Sequence, residues 1–175
     1  MHKSAFIALI YYALKHYSTM PRQHFDKLDV TILNALCENA RTPYLEIARD
    51  YGVSGAAVHQ RVQRLIASNI IIGSHCDIDP ATLGFNVVAY LGICAKPGTD
   101  LAVLVEQLAS VPEITECAIV SGRYDIIAKL NARSNLDILD IIQKDMRDFD
   151  IASTETMLSF KEAFHRHLPI ENTKK

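Results

Sequence analysis

Hydrogen-bonding side chains recur along residues 54–69, a stretch that contains no aspartate or glutamate. Gln, His and Arg side chains can bond to base edges or to phosphates, and small residues at the start of a helix allow close approach to a major groove. For any single one of these residues, a solvated polar face is the alternative interpretation. The residues predicted to contact DNA are Ser54, Gly55, Ala56, His59, Gln60, Arg61, Gln63 and Arg64.

The cysteines give no sign of a metal centre or of a disulfide framework. The four of them, Cys37, Cys76, Cys94 and Cys117, form no C-x-x-C pair, and no histidine stands at zinc-ligand spacing. Free thiols in a reducing cytoplasm are therefore expected, and no metal or other cofactor is predicted.

The charge of the chain is distributed unevenly. Residues 21–75 carry six basic and five acidic side chains, whereas residues 76–175 carry ten basic and fifteen acidic ones. A strongly basic nucleic-acid footprint is thus absent. If the chain binds DNA, its affinity must come from a few well-placed arginines multiplied by dimerisation.

Apolar spacing predicts two short helices before the hydrogen-bonding stretch. Asp26 can cap a first helix that ends near Asn39. Thr42 followed by Pro43 is typical of a cap and a first-turn proline, and the helix that they begin stops at Gly52.

A third helix is predicted from a cap at Ser54 to a left-handed end at Asn69. Two short helices joined by a tight turn that contains glycine, with a first helix in support, are typical of a helix-turn-helix, although many small helical bundles share this layout. The inner face of the third helix is expected to consist of Val58, Val62, Leu65 and Ile66.

The rest of the chain alternates between strands and helices after a short strand and linker that follow Ile70. The predicted elements are a strand at 87–95, a helix at 100–110, strands at 114–120 and 125–132, a helix at 136–148 and a strand at 153–160. This βαββαβ order predicts a ferredoxin-like domain, with both helices on one face of a four-stranded antiparallel sheet.

Each of these two helices has one apolar stripe. The predicted stripes are Leu101, Leu104, Val105 and Leu108 in the first helix, and Leu136, Leu139, Ile142 and Met146 in the second. The first strand is apolar on both faces, with Phe85, Val87, Ala89, Leu91 and Ile93 on one side and Val88, Tyr90 and Cys94 on the other. We therefore expect another subunit to cover the face of the sheet that carries no helices.

Residues 25–164 resemble the Lrp/AsnC family, the feast/famine transcription regulators named for the leucine-responsive regulatory protein. The resemblance rests on motifs in the family's order: FDKLDVTILNAL, the dipeptide AR at residues 40–41, GVSGAAVHQRVQRL, IIIGSHCDIDPATLG, SGRYDIIAK and TETMLSFKE. The chain departs from the family's usual proline, glycine and tyrosine at Gly55, Asn69 and Ser74 respectively.

The resemblance implies a cytoplasmic regulator that binds double-stranded DNA as a homodimer or as an octamer built from such dimers. It also implies a response to a small-molecule effector such as an amino acid. It implies an effector site between dimers, near SGRYDI. Asp125 could hold the ammonium and the open backbone around Gly122 the carboxylate, while Tyr124 closes the cleft, with Thr154 and Thr156 on the adjoining strand. The alternative for Asp125 is a turn residue that caps a strand end.

Siroheme decarboxylases share this two-domain build and use it as an enzyme without DNA, so they provide an alternative function. Such chemistry would need a histidine and an arginine that line a large pocket. Candidates are Arg123, His165, Arg166 and His167, although the last three are more simply read as part of a solvated tail. The arginines of the third helix favour DNA binding, and a non-enzymatic protein is predicted.

The predicted fold class is α+β, with an N-terminal winged-type helix-turn-helix domain and a C-terminal ferredoxin-like βαββαβ domain. The predicted organisation is an extra segment 1–20, a helix-turn-helix domain 21–73, a linker 74–84, an effector-binding and oligomerisation domain 85–164 and a tail 165–175.

The extra segment has three interpretations, because an apolar run at residues 5–14 stands behind Lys3 but is too short to span a bilayer. It is an upstream translation artefact, an added packing helix, or a targeting or membrane contact. The domain pattern begins just after Met20.

We predict that a protein begun at Met20 remains oligomeric and competent for DNA binding, because the apolar run ends before the first predicted helix. Light scattering and gel retardation of the full and shortened chains measure this. Aggregation or a monomeric state of the shortened protein would identify the segment as a packing helix instead.

Overall fold

Two separate hydrophobic cores divide the computed structural model, which describes residues 25–170. Residues 25–77 together with 165–170 form one unit, here called the helical unit, and residues 78–164 form the other, the sheet unit. The segment 1–20 and its three interpretations lie outside the described residues. No helix within residues 25–170 is both long enough and apolar enough to cross a membrane.

The helical unit is built from three helices: α1 at Lys27–Glu38, α2 at Tyr44–Tyr51 and α3 at Gly55–Ala67. Their buried apolar side chains meet in one core, and Ile170 from the end of the chain packs against it. The predicted caps of α1 and α3 are confirmed. The Asp26 carboxylate accepts a hydrogen bond from the backbone N–H of Asp29, and the Ser54 hydroxyl accepts one from that of Ala57.

The prediction for the start of α2 is wrong by one residue. Pro43 itself stands at the N-cap and offers no side-chain hydrogen bond. The hydroxyl of Thr42 is used in the preceding turn, where it donates to the carbonyl of Asn39 at 2.8 Å. The end of α2 is confirmed at Gly52, whose φ of 77° is a left-handed conformation that glycine adopts without strain.

The prediction for the end of α3 is wrong at Ile66, which is 44% exposed. Asn69 has the predicted left-handed conformation, with a φ of 53°. The chain therefore turns after α3, and Ile70 and Ile71 take the place in the core that periodicity had assigned to Ile66.

The predicted short strand after Ile70 is not observed, and no strand forms anywhere within residues 25–86. The predicted wing of the helix-turn-helix is therefore missing from this described range. The connecting stretch contains a 3-10 turn at Pro80–Leu83, which the side chain of Asp79 caps.

The sheet unit has the predicted βαββαβ order. Its elements are β1 at Val87–Ala95, α4 at Leu101–Ala109, β2 at Ile114–Ile119, β3 at Ile126–Ala132, α5 at Asn135–Asp140 with a π-helical turn at Ile141–Asp145, and β4 at Ile151–Ser159. The strands are antiparallel in the order β2-β3-β1-β4, so β1 is paired on both sides. This is the ferredoxin-like arrangement that the sequence predicts.

The apolar stripe of the second helix is predicted wrongly at Leu136 and Leu139, which are 74% and 47% exposed. Met146 is buried as predicted, but Ile138 and Ile141 are buried in place of the two leucines. The π-helical turn explains the error, since the backbone N–H of Met146 bonds to the carbonyl of Ile141, five residues back. This wider turn changes the phase of the buried face, which a regular helical spacing does not anticipate.

One side of the sheet faces α4 and α5, and the other side, here called the open face, does not. On β1, Ala89, Leu91 and Ile93 are fully buried against the helices. The alternate residues of β1 and their partners across the sheet form the open face: Val88, Tyr90, Gly92, Cys94, Glu116, Ala118, Ile127, Lys129, Asn131, Ser153, Glu155, Met157 and Ser159. The open face is thus more mixed than the apolar surface expected from β1.

Candidate functional sites

The outer face of α3 presents the hydrogen-bonding side chains that the sequence predicts. Gln60 and Gln63 are exposed, as are Ala56 and His59. The ring of His59 lies 6.1 Å from that of Tyr44 on α2, measured between centroids. These residues lie on one exposed face of a helix whose first turn contains no acidic residue.

The start of α3 also contacts α2. A Cβ atom at Gly55 would lie 2.6 Å from Cδ2 of Leu45, so glycine leaves room for that leucine. Leu45 is itself 70% exposed. Glycine in place of the family's usual proline therefore allows Leu45 of α2 to pack against the start of α3.

Arg61 and Arg64 are held by carboxylates of α1 and its cap, in a group here called the ion cluster. Nη1 of Arg61 lies 2.5 Å from Oδ2 of Asp26 and 3.1 Å from Oδ1 of Asp29. Nη2 of Arg64 lies 2.6 Å from Oδ2 of Asp29. The side chain of Asp29 is only 1% exposed, whereas that of Arg64 is 53% exposed. Both arginines thus neutralise a buried charge within the helical unit.

The electrostatics of the ion cluster favour its charged form. Burial opposes ionisation of Asp26, but the hydrogen bond from the backbone of Asp29 and the guanidinium of Arg61 outweigh it and lower the pKa of Asp26 below its ordinary value. The hydrogen bond to Asp26 in turn raises the pKa of Arg61, against a smaller effect of burial.

A second group of polar side chains meets on the open face, where β1 and β4 pair. The ring of Tyr124 lies over Gly92, because a Cβ atom at Gly92 would come within 2.8 Å of three ring atoms. The Tyr124 hydroxyl donates a 2.6 Å hydrogen bond to Oε2 of Glu155, which also lies 2.7 Å from Nη2 of Arg123. The guanidinium of Arg123 stacks over the Tyr124 ring, 5.3 Å from its centroid.

Tyr124 is a hydrogen-bond donor in this group at neutral pH. The bond to the Glu155 carboxylate raises the pKa of the Tyr124 phenol above its ordinary value, with a smaller contribution from burial. The phenol therefore keeps its proton, and the hydroxyl holds one oxygen of Glu155 in place.

Asp125 makes the strand-end contact that was the alternative to ligand binding. Its Oδ2 accepts a 2.9 Å hydrogen bond from the backbone N–H of Ala95, and its own N–H donates to the carbonyl of Ile93. Gly122 has a φ of 125°, a conformation open to glycine. The loop is therefore tied to the end of β1 through Asp125.

The predicted threonines are not brought together with Tyr124. Thr154 and Thr156 pair with Ile93 and Leu91, so strand alternation points them to the side of the sheet that carries the helices. Glu155 lies between them and is on the open face opposite Gly92. Sequence reasoning missed both Glu155 and Gly92. The period of two along TETML, combined with the apolar alternation of β1, could have indicated them.

Asp29 is also missing from the residues predicted to form a site. Its signal was the capping pattern, since Asp29 stands three residues after the cap Asp26 and their reciprocal hydrogen bonds form a capping box. The pattern does not indicate that Asp29 also faces Arg61 and Arg64 on a helix more than thirty residues later.

A cleft of about 270 Å³ in the sheet unit lies apart from these groups. Three of its charged side chains already have partners: Arg133 stacks over Phe85, Asp137 completes the capping box of α5, and Asp140 pairs with Lys144. Each of the four cysteines, all within the described range, is a free thiol. Within residues 25–170, no group of three or more His, Cys, Asp or Glu side chains is placed to hold a metal ion.

The residues considered for an enzymatic site fall in different units. Arg123 belongs to the sheet unit, whereas residues 165–167 belong to the helical unit. The rings of His165 and His167 contact each other edge to face, with centroids 6.2 Å apart.

Comparison with known proteins gives matches in both units. A family model described as the AsnC-type helix-turn-helix domain matches residues 25–66, and one described as the Lrp/AsnC ligand binding domain matches residues 88–169. The regulatory protein AsnC of Escherichia coli K12 is 37% identical over 143 residues, which cover 81% of this chain and 93% of that protein. The transcriptional regulator Ptr1 of Methanocaldococcus jannaschii is 40% identical over 102 residues, 58% of this chain and 68% of that protein.

Solved structures agree with these matches. The structure of Escherichia coli AsnC superposes with a TM-score of 0.78 at 33% identity, and the match covers 84% of this chain and 99% of that one. A transcriptional regulator of Neisseria meningitidis in complex with L-Met superposes with a TM-score of 0.76 at 17% identity, covering 81% and 94% of the two chains. The second likeness is one of fold alone.

The ion cluster generates a prediction about stability. The double substitution Arg61→Ala with Arg64→Ala leaves the carboxylate of Asp29 buried without a cation, so we expect the free energy of unfolding to fall by about 3–5 kcal/mol. Adding Asp29→Asn should recover part of this loss, because a neutral amide costs less to bury than an unpaired charge. Urea denaturation followed by circular dichroism measures both effects. A double variant as stable as the wild type would show that the cluster does not hold α1 to α3.

Proposed function

The chain belongs to the Lrp/AsnC family of DNA-binding transcription regulators, and from that premise we propose that α3 contacts DNA and that an amino acid binding to the sheet unit changes its activity or assembly. The observation that carries the DNA part is the exposed face of α3, where amide and imidazole side chains stand together on a helix whose sequence contains no acidic residue. A glutamine amide can recognise a base edge through a pair of hydrogen bonds.

Within α3, different residues have different roles in this proposal. Gln60 and Gln63 are exposed and suit contacts with base edges. Ser54 caps the helix and leaves its positive end near the DNA phosphates. Arg64 is exposed enough to reach a phosphate while it stays close to Asp29, whereas Arg61 acts mainly by holding α3 in place.

The amino-acid part of the proposal rests on the matched ligand-binding domain and on the charged group around Tyr124. The Neisseria meningitidis regulator of the same fold was solved with L-Met, an amino acid. A positive and a negative side chain exposed side by side suit a ligand that carries both charges. The relatives are regulators rather than enzymes, which supports the non-enzymatic reading over a siroheme decarboxylase and supports a site of action in the cytoplasm, with the DNA.

The part of the open face around Tyr90 and Met157 is the surface proposed for dimerisation. Tyr90 and Met157 lie opposite each other on β1 and β4, and Ile127 lies on β3 opposite Gly92, two residues along β1 from Tyr90. A second copy would cover these apolar side chains. The side chain of Lys129 is only 15% exposed and pairs with Glu116 and Glu162, so its charge would enter the interface already paired. Larger assemblies such as an octamer would stack these dimers.

DNA recognition is tested by selection from a random pool of duplexes, followed by gel retardation with the selected sequence. We expect wild-type protein to enrich a recurring sequence and Gln63→Ala to bind it about 5- to 150-fold more weakly, with relaxed preference at one base pair, because a bidentate contact contributes about 1–3 kcal/mol of discrimination. Gln143→Ala, an exposed glutamine of the sheet unit, is the matched control. If wild-type protein enriches no sequence, sequence-specific DNA binding is wrong.

Dimerisation through the open face is tested by placing a charge on it. Met157→Asp should convert the assembly to monomers, because an unpaired carboxylate would be buried between subunits. Val103→Asp places the same charge on the opposite side of the unit, on α4, where Val103 is 52% exposed, and should leave the assembly intact. Size-exclusion chromatography with light scattering measures the mass. Equal masses for Met157→Asp and the wild type would show that the subunit interface does not include Met157.

A further inference from the structure

Arg123 and Glu155 form an exposed ion pair next to the loop that the sequence singled out. Their side chains are 76% and 43% exposed, with Nη2 of Arg123 2.7 Å from Oε2 of Glu155. An ion pair this exposed contributes little to stability, since the median for such pairs is about 0–1 kcal/mol. A ligand can therefore replace one partner or insert beside both at small cost.

Asp125, the residue that the sequence favours for an ammonium contact, is already engaged. Its Oδ2 accepts the backbone N–H of Ala95, which ties the loop to β1. A ligand that used this oxygen would leave a backbone donor without its partner. Glu155 has no such structural bond to the backbone among the contacts described for it, and its two partners are side chains.

Resting on the proposed amino-acid response, we propose that Glu155 binds the ammonium of a free α-amino acid and that Arg123 binds its carboxylate. In an α-amino acid, the nitrogen and the carboxyl carbon are separated by about 2.5 Å, as covalent geometry requires. This separation matches two opposite side-chain charges that lie in contact. A ligand whose charges stand several carbons apart does not match it.

Tyr124 and Gly92 are positioning residues in this proposal. The Tyr124 hydroxyl holds Oε2 of Glu155, and its ring supports the guanidinium of Arg123. The ring can lie there only because residue 92 has no side chain, since a Cβ atom would approach it to 2.7 Å. Gly92 thus sets the depth at which the charged pair stands above the sheet.

The test combines a change of charge in the protein with a change of charge in the ligand. Isothermal titration calorimetry of the full-length protein against the twenty amino acids identifies the tightest ligand, and its 2-oxo acid, which lacks the ammonium, is the matched probe. We expect Glu155→Gln to weaken binding of the amino acid by about 10- to 150-fold, because a charge-assisted hydrogen bond is lost. The same substitution should leave binding of the 2-oxo acid nearly unchanged. A merely structural role for Glu155 would weaken both ligands equally.

Two further variants provide a control and a second test of the Glu155 contact. Glu106→Gln, an exposed glutamate on α4, should bind both ligands as the wild type does. Tyr124→Phe keeps the ring over Gly92 but removes the hydroxyl, and it should weaken the amino acid more than the 2-oxo acid. Should Glu155→Gln fold poorly, circular dichroism reveals it and Tyr124→Phe decides in its place.

The outcomes separate this proposal from the proposed function. If the wild type binds no amino acid, both the amino-acid response and the Glu155 contact are wrong, while DNA binding is judged by its own assay. If the amino acid binds and Glu155→Gln binds it as tightly as the wild type, only the Glu155 contact is overturned. A selective loss of the amino acid in Asp125→Asn, with Glu155→Gln unaffected, would return the ammonium site to Asp125.

Discussion

The buried carboxylate of Asp29 is the interaction on which the geometry of the helical unit depends. An ionised group with 1% of its side chain exposed requires cations in contact, and Arg61 and Arg64 provide them from α3. Because the two arginines are three residues apart, they lie on one side of α3 and fix its rotation against α1. That rotation directs Gln60 and Gln63 to the surface. The direction of the face proposed to contact DNA bases is thus set by a carboxylate on a different helix.

The engagement of these arginines limits how the protein can gain affinity for DNA. Residues 21–75 carry only one more basic than acidic side chain, and two of the six basic ones face the ion cluster. Few phosphates can therefore be neutralised by one subunit, and the salt dependence of its binding should be shallow. Two subunits that engage two half-sites on one duplex would compensate, since the second contact becomes intramolecular. In this chain, the proposed dimerisation is thus a requirement for useful affinity.

Local patterns in the sequence predicted the order of elements, the caps at Asp26 and Ser54 and the left-handed end at Asn69, because each depends on residues a few positions apart. What failed depends on distant or irregular structure. The π-helical turn after α5 shifted the buried face, and the ion cluster joins residues more than thirty positions apart. Strand register decides that Thr154 points away from Tyr124. A sequence shows which side chains can do chemistry, but pairing across the fold decides which of them meet.

Strand β1 connects the proposed ligand site with the proposed dimer surface. Gly92 pairs with Glu155, and two residues earlier Tyr90 pairs with Met157, so the two surfaces are adjacent steps of one register. Two residues along a strand span about 7 Å. A ligand that moved Glu155 or lifted Tyr124 from Gly92 would therefore disturb side chains next to the interface. Contact of this kind, within one pair of strands, gives ligand binding a direct physical route to a change in assembly.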